Sequence, residues 1–178
     1  KAVKDPDKRI RKEALLSAMV YREKPEIIMA PLLVSLNDRD VSIKLFALRV
    51  ARGLGAKGGE VVPKVIALTK ESDMKVRTSA IETLGTYAPA SDETLQALAD
   101  LFGDRDVTIR KSAFSALQQI GSREPKRVIP IIGKAAESEP NANVKQSMVT
   151  SLSKLTKQIS GRPTDEPGHA AAPPSTPN

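Results

Sequence analysis

Asp106-Val107-Thr108-Ile109-Arg110-Lys111-Ser112-Ala113 is the stretch whose repetition decides the fold. The same pattern stands at Asp73-Met74-Lys75-Val76-Arg77-Thr78-Ser79-Ala80, at Asp40-Val41-Ser42-Ile43-Lys44-Leu45-Phe46-Ala47 and at Asp7-Lys8-Arg9-Ile10-Arg11-Lys12-Glu13-Ala14. A fifth, weaker copy reads Asn141-Ala142-Asn143-Val144-Lys145-Gln146-Ser147-Met148. The first four start 33 residues apart and the fifth follows after 35. A fixed period of this size is the mark of a helical repeat array, in which each unit buries its apolar face only by stacking on its neighbours.

Each position has a physical reading. The Asp or Asn stands where a helix starts, and its side chain can accept from the free N–H groups of the first turn. The β-branched residue, the Ala four further on and often a Leu eight further on follow helical spacing. Ile109, Ala113, Leu117 and Ile120 therefore share a face, which Leu15, Leu48, Ile81, Phe114 and Val149 widen. These B helices are expected over about 7–20, 40–54, 73–87, 106–121 and 141–158. Gly55, Gly85 and Gly121 fall near their ends, where glycine relieves left-handed backbone. Shorter A helices are expected over about 26–36, 60–70, 92–102 and 126–136. Pro31, Pro63 and Pro130 would bend three of them.

A proline-bearing A helix, an acidic turn and then Asp-x-x-[Ile/Val]-[Arg/Lys]-x-x-Ala in the B helix resemble the HEAT repeat. The short HEAT-like variety named after phycobilisome lyases is the nearest match. The likeness covers residues 1–158 or so, and it implies an all-α, right-handed α-solenoid of about five two-helix repeats, the first lacking its A helix. The family pattern also implies a ladder, in which Arg11, Lys44, Arg77, Arg110 and Lys145 meet the acids Asp7, Asp40, Asp73 and Asp106 of neighbouring repeats. That role is structural. Ankyrin repeats share the period but need a Thr-Pro-Leu-His type segment, which is absent.

The 178 residues divide into a solenoid over 1–160 and a Pro/Ala-rich tail or linker over 161–178, which holds the lone histidine, His169. Only six residues precede Asp7, so helix B1 would expose Ile10, Ala14 and Ala18, as in a chain cut from a longer solenoid. Helix B5, rich in Ser, Thr, Lys and Gln, suits a C-terminal cap.

Chemistry is sparse. The chain has no Cys and no Trp, which rules out disulfides and thiolate chemistry but does not fix the compartment, the cytoplasm being favoured. No run approaches the ~20 apolar residues of a membrane helix. Gly53, Gly55, Gly58 and Gly59 follow no strand and read as turn residues rather than a phosphate loop. Asp38/Asp40 and Asp104/Asp106 flank tight turns and lack the cleft that acid–base chemistry needs. No catalytic, cofactor or metal site is therefore expected.

Net charge is +7, spread as +5 over 1–53, −1 over 54–121 and +3 beyond. A nucleic-acid binder more often carries one continuous basic stripe. The outward stripe of the B helices is the candidate binding surface, with Lys12, Leu16, Leu45, Arg49, Arg52 and Lys111 as its named residues. Leucines beside cations fit a docking patch for another protein or another domain of the same chain. The alternative is a nucleic-acid-binding module that sets Lys12, Arg49, Arg52 and Lys111 against phosphates.

Overall fold

In the computed structural model, which describes residues 2–160, the acid of each repeated motif folds onto its own helix. Asp7 accepts from the Arg9 N–H at 2.8 Å, Asp40 from Ser42 at 2.9 Å and Asp106 from Thr108 at 2.7 Å. Asp73 accepts from both Lys75 and Val76, and Asn141 from Val144. These caps open α1 (Lys8–Met19), α3 (Val41–Leu54), α5 (Met74–Tyr87), α7 (Val107–Gly121) and α9 (Ala142–Ser160), the five B helices. The A helices α2 (Pro25–Leu36), α4 (Val62–Leu68), α6 (Asp92–Asp100) and α8 (Pro125–Ser138) alternate with them. Among the described residues there is no strand. The tail 161–178, with His169, lies outside them.

The A helices depart from the sequence expectation at α4. Pro63 does not bend it; it sits in the first turn, where its missing N–H would have had no partner. The glycine-rich stretch before it forms a 3-10 turn over Gly55–Val61, which shortens α4. Pro31 and Pro130 do lie inside their helices. Helix α6 has Ser91 as its cap and ends in a 3-10 turn over Leu101–Gly103.

The core is one continuous aliphatic seam between the A and B layers. The β-branched residues Ile43, Val76, Ile109 and Val144 and the alanines Ala47, Ala80 and Ala113 are all buried. In α1 the exposed line differs from the expected one. Ile10 is 45% exposed, but Ala18 is buried and Tyr21 is open instead. At 100° per residue, position eight after Ile10 turns away from its face, while Tyr21 stands in the turn that follows α1.

The glycines also differ from expectation. Among the described residues Gly55 alone has a positive φ, at 56°, where it ends α3. Gly85 lies within α5 and serves contact: a Cβ there would stand 2.6 Å from the Ala116 Cα. A Cβ at Gly121 would stand 3.3 Å from Leu155 of α9.

Candidate partner-binding face

Neighbouring B helices pack directly on each other, and at Gly85 α5 meets the backbone of α7.

On the outward stripe of the B helices the structure brings four of the six named residues together. Lys12 of α1 stands with its Nζ 5.6 Å from the centroid of the Phe46 ring, and Arg49 of α3 with its Cζ 5.2 Å from the same centroid. Both cations are exposed, while the ring is 8% exposed. Leu16 lies one turn after Lys12, Leu45 one turn before Arg49, and both are half-buried against the core. The ring quadrupole attracts both cations and restrains them side by side, and among the described residues no acid forms an ion pair with either. Phe46 was not singled out in the sequence; its signal is a phenylalanine standing two after Lys44, where other copies carry Glu13, Ser79, Ser112 and Ser147.

The remaining two residues stand apart. Arg52 donates to Glu82 of α5 at 3.0 Å, so its charge is met within the protein. Lys111 lies two repeats away on α7, in a shallow groove of about 200 Å³ shared with Glu82, Thr108 and Ser115.

The expected ladder is built, but with other acids. Arg11 pairs with Asp38, Lys44 with Glu71, Arg77 with Asp104 and Arg110 with Glu139. The cap acids Asp7, Asp40, Asp73 and Asp106 are committed to their own helices, although Asp40 also meets Lys8 at 3.2 Å. The ladder acid stands two residues before each cap, facing the preceding repeat. Two pairs are two-pronged. Arg11 donates to Asp38 at 2.6 and 2.8 Å and to the Asp5 and Pro6 carbonyls. Arg110 donates twice to Glu139 at 2.9 Å and to the Asp104 and Arg105 carbonyls. Each of these acids also accepts the N–H of its cap residue. The paired turn carboxylates are thus structural.

Electrostatics follow the contacts. Burial alone would push the Asp38 and Asp104 carboxyls up, but the Arg11 and Arg77 guanidinia with the cap N–H groups hold both below the ordinary 3.8. The Arg110 hydrogen bonds hold Glu139 low. The Ser42 hydroxyl leads in lowering Asp40 to about 2. Among the described residues Lys145 pairs with no acid and donates to the Glu137 carbonyl, at 3.5 Å. Among the described residues no group of three His, Asp or Glu side chains is placed to hold a metal ion. No helix there is long and apolar enough to cross a membrane.

Comparison with known proteins agrees with this architecture. A family model of HEAT repeats matches residues 29–118. An uncharacterised phycocyanin operon protein Z of Pseudanabaena tenuis (strain PCC 7409) is 32% identical over 100 residues, which is 54% of this chain. The match spans 48% of that relative's length, so the chain covers about half of it. The crystal structure of an engineered protein superposes over 88% of this chain and 77% of its own, with a TM-score of 0.53 and 19% identity. That likeness concerns the fold. The repeated capped helix, the inter-repeat ion pairs and the family match together make this chain a member of the HEAT-repeat family.

Proposed function

We propose that this chain is a non-catalytic protein-interaction scaffold that binds its partner on the inner face, through Lys12, Leu16, Leu45 and Arg49. HEAT repeats generally mediate protein interactions, and curved solenoids offer an extended concave surface for it. The observation that carries the reading is the pair of cations held over Phe46, with no acid paired to either among the described residues. Arg52, on the same stripe, is by contrast met by Glu82. Two cations held beside two half-buried leucines form a compact patch with an apolar floor, which fits a protein partner that offers acidic side chains around an apolar one. The partner is another protein or another domain of the same chain. Nucleic acid is the less favoured partner: Glu82 and its ion pair interrupt the basic stripe between Arg49 and Lys111, and a phosphate backbone asks for continuity.

A photocrosslinking residue placed at Leu45 tests this in extracts of the source cells, against one placed at Glu93 on the outer side of α6. Crosslinks to a defined partner are expected at Leu45, reduced about tenfold by Lys12→Glu with Arg49→Glu and unchanged by Lys126→Glu on α8. Equal crosslinking from both positions, or indifference to the double variant, would sink the proposal. Binding of duplex DNA with a steep loss of affinity in salt would favour the nucleic-acid reading.

A further inference from the structure

The N-terminal edge of the stack repeats half of an interface that the interior completes four times. The β-branched residues Ile43, Val76, Ile109 and Val144 are at most 2% exposed, while Ile10 at the same position of α1 is 45% exposed. Eleven residues further on, Leu54, Tyr87, Ile120 and Leu155 are buried, while Tyr21 is 48% exposed.

A second observation concerns charge. The ladder acids Asp38, Glu71, Asp104 and Glu139 have a fifth counterpart 33 residues before Asp38, namely Asp5. Asp5 accepts the Asp7 N–H at 2.9 Å, as Asp38 accepts that of Asp40. Yet among the described residues no arginine or lysine side chain pairs with its carboxylate, whereas each of the other four holds one.

The third observation is the backbone. Ala2–Lys4 forms a 3-10 turn packed on α1 and α2. It stands three periods before Leu101–Gly103, the turn that ends the A helix of a complete repeat. The chain therefore enters α1 from the A-helix position.

We infer that this edge is a half-built repeat interface that takes one more two-helix repeat of the same chain, joined ahead of Ala2, whose B helix carries an arginine or lysine for Asp5. In the first three ladder pairs the cation stands 27 residues before its acid, and the same register is expected here. The open apolar line on α1 calls for an A helix, and the acid calls for a cation from the repeat before. A second copy stacked through α9 would bring Lys145 to Asp5 but nothing for the A-helix position.

The test grafts a copy of residues 72–100 directly ahead of Ala2, so that the copied Asp100 precedes Ala2 as it precedes Leu101. This sets the copied Arg77 in ladder register with Asp5. Hydrogen exchange in residues 10–21 should slow about tenfold or more. Arg77→Glu in the copy should remove most of that gain, and adding Asp5→Arg should restore it. A graft that stays unprotected, or one that folds and leaves exchange at 10–21 unchanged, overturns the inference. Protection of the ungrafted chain that rises with its concentration overturns it too, by identifying a second copy as the occupant.

Discussion

Gly85 carries an ordinary helical backbone, so its missing side chain matters for what lies opposite rather than for conformation. In the sequence it resembles the other helix-end glycines, because local pattern holds no information on how near the next helix comes. Alanine is the better helix former by roughly 1 kcal/mol, yet a Cβ at 2.6 Å from the Ala116 Cα would force α5 and α7 apart. Gly85→Ala is therefore expected to destabilise by about 1–3 kcal/mol net, read from urea unfolding; a stabilised variant would contradict the close approach. The helical phase, by contrast, was legible residue by residue from the period. Ile109 is buried and Lys111 is exposed, so Ile109→Asp should cost upwards of about 3 kcal/mol from lost burial and a buried charge. Lys111→Asp should change stability by about 0.5 kcal/mol or less. Similar losses for the two would mean that the phase is wrong.

The ladder joins each helix pair to the next, and here the sequence was half legible. Its cations stand where the repeat pattern puts them, but two acids per turn share one spacing, and only three-dimensional facing tells the cap acid from the paired one. Asp38, Asp104 and Glu139 have carboxyls held below their ordinary values of 3.8 and 4.5. A depressed folded-state pKa adds stability above the unfolded value, and that stability is lost as pH falls through the folded one. Stability is thus expected to hold level from pH 7 to about 5 and to fall below about 4. Glu139→Gln should flatten that fall while lowering stability at pH 7; an unchanged acid limb would remove Glu139 from the ladder. Truncation separates the interior from the edge. Arg110→Ala should cost about 3 kcal/mol by leaving Glu139 buried without its cation. Lys145→Ala, whose side chain meets no acid among the described residues, should cost about 0.5 kcal/mol or less. Chemical denaturation of both variants measures the difference.

At the scale of the molecule, the repeat number, the alternation of helices and the uncovered first repeat were all legible, since they follow from a fixed period and from capped starts. Of the proposed docking patch, the shared stripe of Lys12 and Arg49 follows from helical spacing, but their union over Phe46 depends on how far α1 and α3 turn toward each other. In a nearest-neighbour stack each repeat contacts only its neighbours, so stability is a sum of repeat and interface contributions, and a repeat short of one interface opens first. Residue-resolved hydrogen exchange under native conditions tests this most directly. Exchange should be slowest in α5 and α7, which are covered on both sides, and fastest among the described helices in residues 8–21. Protection at 8–21 equal to that across 74–121 in the dilute monomer would contradict the stacked-repeat account.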